Sequence, residues 1–486
     1  MSSPRRNEPC HCGSGRRYKD CHGKLPASAP GVDALLRRAL SQHQSGQVDS
    51  AERDYRTVLE LEPGNAIATH YMGLIAWNRG DREGAELQMR AGIAADASVP
   101  DFHNNLGLLL RDTRRLDEAI ACFHRALEVD PSWFEAYSNL GLTLEAAGRW
   151  DEATAAYRNA LAREPRFAAA QQNLARVLIT RGDFAEGFAR YRWRLPARGV
   201  RKEAPDANAR PLPASLEGRE LVLLSEQGLG DVLFFLRFAP ALVRRGARLA
   251  FRGDPRLHSI LERTGLFELG IAESDAPDVQ PGREAIFVGD LPWLLEATDP
   301  AKFPKPLALA PQPERVARLR SVLEAHGPRP HVALTWRAGL HSTGPMSKQL
   351  KTIDPAILGA TLRGITATWI SVQRLPAPGE REELAAATGA LVRDFSATND
   401  DLEEMLALLS VVDGYAGVSN ANVYLRTGAG KPMQVLVPYP PEWRWGLEGA
   451  RSPWFSNVGV YRQRVDGDWT AAMRTLRERL TSREGS

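Results

Sequence analysis

No stretch of the 486 residues approaches the roughly 18 consecutive apolar residues of a membrane span, although 43% of the chain is apolar. The opening MSSPRRNEPCHC lacks the apolar core of a secretory signal, and the expectation is a cytoplasmic protein. Cysteine is scarce, four in all, and three of the four sit between positions 10 and 21, which excludes an extracellular scaffold stapled by disulfides. Charge of one sign is also scarce. A net charge of +3 is too small to argue for a nucleic-acid binder, and nucleic acid is not the expected partner. The positive excess is local: residues 1–30 carry Arg5, Arg6, Arg16, Arg17, Lys19 and Lys24 against Glu8 and Asp20, so an electrostatic partner would be met by the N-terminal segment. A chain of this length is expected to divide into two to four domains.

The segment EPCHCGSGRRYKDCHGK holds Cys10, Cys12, Cys21 and His22. In a reducing compartment this spacing argues for a metal rather than disulfides, because thiolates and imidazole suit tetrahedral Zn²⁺. Gly13, Ser14 and Gly15 let the chain fold back so that Cys21 and His22 complete the shell, and His11 ranks below His22 as a ligand. All four positions are then filled, so the zinc is structural. From Pro9 to Gly23 the residues resemble the SEC-C motif, the zinc knuckle at the C-terminus of the SecA translocation motor. The resemblance implies docking to a chaperone or ribosome; the alternative is that zinc only orders the segment. Cys122 stands apart and is expected to be a small buried apolar residue.

From Val32 the chain repeats every 34 residues. Pro63, Ala97, Pro131 and Pro165 fall in one slot; Gly46, Gly80, Gly148 and Gly182 fall in another, where Arg114 is the exception. Ala51, Ala85, Ala119, Ala153 and Gly187 share a small-residue slot, and Tyr55, Met89, Phe123, Tyr157 and Tyr191 a large one four positions later. The pattern resembles the tetratricopeptide repeat, a helix–turn–helix unit that stacks into an α-solenoid with a concave, protein-binding surface. About five copies cover residues 32–198. Asn105, Asn139 and Asn173, again 34 apart, are candidate contacts for the backbone of an extended peptide; helix-to-helix packing is the competing use.

Residues 199–215, rich in proline, read as a linker. After it, short β-rich runs at 221–225, 249–252, 285–288, 332–336, 368–373 and 433–437 alternate with helical segments, which argues for parallel sheets with crossover helices and two domains, 216–310 and 311–486. In such sheets ligands lie at the carboxyl ends of the strands. SEQGLGD, after the first run, lacks the GxGxxG spacing and the lysine of a phosphate loop, and an acid at a helix start is disfavoured beside phosphate. Asp231 therefore reads as a general base, or as an N-cap, with Gly228 and Gly230 forming the tight turn.

SEQGLGDVLFFLRFAPAL, VALTWRAG, WISVQ, GKPMQVLVPYPPEWRW and SPWFSNVGVYRQ, in this order behind the repeats, resemble the repeat-containing bacterial glycosyltransferases related to the heptosyltransferase family; the layout also resembles O-GlcNAc transferase. The resemblance implies a GT-B fold of two facing Rossmann-like domains, catalysis without a metal, and a last helix near Trp469–Leu480 that crosses back to the first domain. It places Asp231 as the base on the acceptor side. A nucleotide diphosphate-sugar would lie on the second domain against Arg337, Lys348 and Lys351, with Gln373 toward the nucleoside and Ser419, Asn420 and Asn422 at a helix start. Where the family carries Asp-Thr and a nearby His, this chain has Ser419-Asn420 and Tyr424, a departure that either tunes the donor-sugar site or marks a chain that no longer turns over. Trp443, Trp445, Trp454 and Phe455 are expected to be buried between domains, the alternative being a stack on a sugar or base, and Arg444, which lies between two of these tryptophans in the sequence, is expected to be stacked. Two functions follow: a glycosyltransferase whose repeats select a protein or peptide acceptor, or a non-catalytic adaptor with a degenerate transferase half.

Overall fold

The computed structural model describes residues 31–194, 204–206, 208–273, 282–338 and 351–482. The expected zinc ligands Cys10, Cys12, Cys21 and His22, and the expected phosphate ligand Lys348, lie outside the described residues. The chain divides into two compact units between Ser132 and Trp133.

The first unit contains α1 (Val32–Gln44), α2 (Val48–Leu61), α3 (Ala66–Asn78), α4 (Arg82–Ala95), α5 (Pro100–Asp112) and α6 (Leu116–Val129). Local chemistry starts several of them: the Asn65 side chain accepts from Ala68 N, that of Asp81 from Gly84 N, and Pro100 opens α5. Each turn inside a helix pair needs a left-handed residue. Gly46 (φ 79°) and Gly80 (φ 90°) supply it at no steric cost, whereas Arg114, in the same slot, is held at φ 65°. Ala51, Ala85, Ala119, Tyr55, Met89 and Phe123 are fully buried. The small-residue rule has a second expression at Gly107, where a Cβ would come within 2.9 Å of the Phe123 ring. Cys122, expected to be buried, is only half-buried, and that partial burial raises its thiol pKa.

The second unit opens with α7 (Phe134–Ala146), α8 (Trp150–Arg163), α9 (Ala168–Arg181) and α10 (Phe184–Tyr191), built on the same plan, with Gly148 and Gly182 left-handed and Tyr157 buried. It continues into two wholly parallel sheets. The first holds β1 (Glu220–Leu224), β2 (Arg248–Arg252), β3 (Ile271–Ala272) and β4 (Glu284–Phe287) in the order β3-β2-β1-β4. The second holds β5 (His331–Thr335), β6 (Thr368–Ser371), β7 (Val392–Asp394), β8 (Gly414–Val418), β9 (Met433–Val437) and β10 (Val458–Arg462) in the order β10-β9-β8-β5-β6-β7. Read from β7, this is the doubly wound order in which the first strand lies centrally and the winding reverses beside it. The reversal falls between β1 and β4 in the first sheet and between β5 and β8 in the second. Strands β5, β8 and β9 are buried along their whole length, as parallel strands covered on both faces must be.

All six expected strands are present to within two residues at either end. One core joins Phe184, Phe188 and Tyr191 of α10 to Phe234 and Phe235 and to Trp443, Trp445, Trp454 and Phe455, so the aromatic residues near the end are buried as expected. The helix Thr470–Thr481 does not cross back to the first sheet. Ala472, Met473, Leu476 and Leu480 pack with Trp336 and Trp369 on the second sheet, and Arg477 donates to the carbonyls of Thr361 and Arg363.

Candidate functional site

The loops at the carboxyl ends of β1, β5, β8 and β9 carry most of the expected polar residues. After β1 the chain turns through Gly228 into the helix Leu229–Phe235. Gly228 has φ −66° and is the N-cap, so it is not there for a left-handed backbone. Gly230 is required by close approach: a Cβ there would lie 2.8 Å from the ring of Tyr424 on the helix Ala421–Gly428. Asp231 is not the N-cap, which settles one of its two readings, and its carboxylate reaches across to Arg444 in the turn after β9.

Arg444 is the centre of the cluster. Its guanidinium stacks over Trp443 at 4.3 Å and Phe234 at 4.7 Å and pairs with both Asp231 and Glu442. Burial opposes its charge, but Tyr424 and Asp231 outweigh burial and hold it above the ordinary arginine value. Glu442 in turn accepts from Lys351 Nζ at 2.6 Å and from Ser419 Oγ at 3.2 Å. Loss of water around the ammonium and the charge of Arg444 push Lys351 down to about 8 against the pull of Asp231, yet its side chain keeps 40% of its surface and is the open member of the group. Asp231, Lys351 and Ser419 are thus brought together, through Glu442 and Arg444, from both sheets.

Asn420 borders this cluster as a structural cap. Its Oδ1 accepts from Asn422 N at 3.0 Å and from the Tyr415 hydroxyl, and its Nδ2 donates to Thr335 Oγ1. Asn422 is buried on the same helix start. Arg337 and Gln373 fall elsewhere, toward β6. The Gln373 amide accepts from the backbone of Trp336 and Arg337 at 3.0 and 2.9 Å and donates to the carbonyls of Arg337 and Arg374, which splices the ends of β5 and β6. Arg337 is buried and held by Glu380 and the Leu375 carbonyl.

At the reversal point of the first sheet, Arg194 from the end of the repeat region is fully buried between Glu226 at 2.8 Å and Asp290 at 2.5 Å, in the loops after β1 and β4. Tyr191 donates to Gln227 in the same loop. Sequence reasoning passed over Arg194, Glu226, Asp290 and Glu442 and took Arg444 only as a stacked cation. The available signal was charge among aromatic residues, after a helix in FARYRWRL and after a strand in PPEWRW. Of the asparagines, Asn105 lies on α5 in the first unit, and Asn139 and Asn173 lie on α7 and α9 in the second, all half-buried. Asn105 donates to His70 Nε2 at 3.1 Å.

Among the described residues there is no group of three or more His, Cys, Asp or Glu side chains able to hold a metal, and no helix long and apolar enough to cross a membrane. Family profiles of the tetratricopeptide repeat match residues 36–100, 99–163 and 144–187, and that of the SEC-C motif matches residues 6–24. Protein FlbA of Caulobacter vibrioides is 28% identical over 282 residues, 53% of this chain and 46% of that protein. The SecA translocase subunit of Borreliella burgdorferi is 72% identical over 25 residues, 5% of this chain and 3% of SecA. The chain spans less than half the length of these curated relatives. Among solved structures, MamA aligns at 22% identity over 33% of this chain and 95% of its own (TM-score 0.30). YrrB, a TPR protein with an unusual peptide-binding site, aligns at 17% over 37% and 93% (0.31). PilF of Pseudomonas aeruginosa aligns at 20% over 36% and 78% (0.32).

Proposed function

We propose that this chain is a glycosyltransferase of GT-B architecture that moves a sugar from a nucleotide diphosphate-sugar to a protein or peptide acceptor selected by its tetratricopeptide repeats. The observation that carries the reading is the cluster Asp231–Arg444–Glu442–Lys351–Ser419, which gathers a carboxylate from the first sheet and cations from the second at the carboxyl ends of parallel strands. Asp231 would take the proton of the acceptor hydroxyl, and Lys351 and Arg444 would neutralise the leaving diphosphate. Arg337 and Gln373 are relegated to supporting the strand ends, because they lie toward β6, outside this cluster, and bind backbone there.

The repeats are of a kind that serves protein–protein interaction, which suits an acceptor that is itself a protein. At the N-terminus, three thiolates and one imidazole, Cys10, Cys12, Cys21 and His22, make a donor set that fits four-coordinate Zn²⁺, with docking to a chaperone or ribosome as its role. A second reading, the non-catalytic adaptor, is favoured by one observation: the carboxylate of Asp231 is engaged in an ion pair with Arg444.

A thermal-shift screen against UDP-, GDP-, ADP-, CMP- and dTDP-sugars and the free nucleotides decides between them. One nucleotide class, at about a hundred times its dissociation constant, is expected to stabilise the protein by about 2.7 kcal/mol. No shift with any class, in folded protein, would leave the adaptor.

A further inference from the structure

We infer that Asp231 and the diphosphate of the donor sugar compete for one cation, Arg444, so that the base is silenced by an ion pair in the free protein and released when the nucleotide binds. The inference rests on the glycosyltransferase reading and adds to it a rule for the order of events.

The two carboxylates on Arg444 are not equivalent. Glu442 is tied three ways, to Arg444, Lys351 and Ser419, and its side chain is 15% exposed. Asp231 is 32% exposed, and among the described residues its carboxylate bonds to Arg444 alone. The guanidinium cannot move far, since it is packed against Trp443 and Phe234 and is 4% exposed. What exchanges is therefore the less tightly held of its two anions, and that anion is Asp231. The Arg444 Nε is buried without an acceptor among the described residues, which leaves the guanidinium under-satisfied by its present partners.

The charge balance points the same way. Asp231 and Glu442 offset Arg444 and Lys351. A further guanidinium, Arg237, lies 4.3 Å over the other partner of the stack, Phe234, and is bound to the carbonyls of Phe234, Pro304 and Trp454 rather than to an acid. The cluster thus carries a surplus positive charge that a diphosphate, with two or more negative charges, would satisfy better than one carboxylate. Lys351, on the open side, would take a second phosphate oxygen.

The chemistry then balances. With Arg444 on the diphosphate, the freed Asp231 carboxylate accepts the proton of the acceptor hydroxyl. The acceptor oxygen bonds to the anomeric carbon, the carbon–oxygen bond to the diphosphate breaks, and its electron pair stays on the phosphate oxygen held by Arg444 and Lys351. A protein without donor sugar would hold an inactive base, which would suppress proton abstraction from a bound acceptor before the sugar is in place.

The test is titration calorimetry of the full chain with UDP, GDP, ADP, CDP and dTDP. For the nucleotide that binds wild type, Asp231→Asn is expected to bind about ten-fold tighter, because the competing anion is gone, and Asp231→Ala likewise; unfolding midpoints confirm that both variants fold. The gain should vanish in the double variant Asp231→Asn, Arg444→Lys, whose ammonium has no planar fork to offer the phosphate. Unchanged or weaker binding by Asp231→Asn and Asp231→Ala, or a gain that survives Arg444→Lys, overturns the competition while leaving nucleotide binding in place. Failure of wild type to bind any of the five removes the transferase reading and the competition with it.

Discussion

The guanidinium of Arg194 lies so close to Gly289 that a Cβ at that glycine would come within 2.6 Å of it. Arg194 bonds to Glu226 and Asp290, which follow adjacent strands of the first sheet, so the last repeat helix is locked to the loop that leads to Asp231. Removing the cation would leave two acids facing each other, and Arg194→Ala is expected to cost about 3–5 kcal/mol. Arg194→Lys should recover little, because one ammonium cannot reproduce the two-sided fork. Gly289→Ala should cost about 1–3 kcal/mol through overpacking alone. Denaturant unfolding of the three variants measures this, and an Arg194→Ala midpoint equal to wild type would show the contact to be incidental.

Arg114 occupies the repeat slot that four glycines fill, and it adopts their left-handed backbone at φ 65°. An L-residue with a Cβ pays about 1–2 kcal/mol there. Arg114→Gly is therefore expected to stabilise the first unit by about 1 kcal/mol, reduced somewhat by the extra freedom of glycine in the unfolded chain. Thermal unfolding followed by helical circular dichroism reads the shift, and a lower midpoint would contradict it.

The 34-residue period was legible because the same steric demands recur: a small residue facing a large one, and a left-handed turn. Strand β1 was legible from LVLL, apolar on both faces, and β9 from MQVLV, apolar but for Gln434. Strand β8, GYAGV, was missed because two glycines mask it; Gly417 has no room for a side chain beside Thr335. Strands β7 and β10 were missed as well, the first for its three residues, the second for a glycine inside a mixed run. Asp231 could be singled out by its place after a strand, but its partner Arg444 lies 213 positions away, and only folding reveals that pair. Gln373 has a strand-end position that suits ligand contact and backbone splicing equally, and its four hydrogen bonds decide for the latter.

His70 gives the first unit a predictable acid sensitivity. It is fully buried and stacks on Phe102 at 4.1 Å; burial first, then the charge of His103, lowers its pKa to about 4. Below an unfolded value near 6.5 the unfolded chain takes up a proton that the folded chain refuses, so stability falls as pH drops from 6.5 toward 4. Between pH 6.5 and 5, wild type should lose about 1.6 kcal/mol more than His70→Phe, which keeps the ring contact and cannot titrate. Parallel unfolding titrations at the two pH values check this, and equal losses would place the sensitivity elsewhere.

The asparagine ladder can be separated from packing one rung at a time. Asn105 donates to His70 Nε2, so Asn105→Ala leaves a buried ring nitrogen without its donor and should cost about 1–3 kcal/mol. Asn173 is half-buried on α9, and its amide makes no hydrogen bond among the described residues, so Asn173→Ala should change stability by less than about 0.5 kcal/mol. A polar side chain kept on a repeat helix without an internal partner is available to an extended backbone. On an array of extended peptides, Asn173→Ala is expected to lose about five-fold in affinity, the worth of about one hydrogen bond, with its unfolding midpoint unchanged. Undiminished peptide binding by Asn173→Ala would mean that this rung holds nothing. The shared spacing of the three asparagines would then reflect the repeat's own geometry.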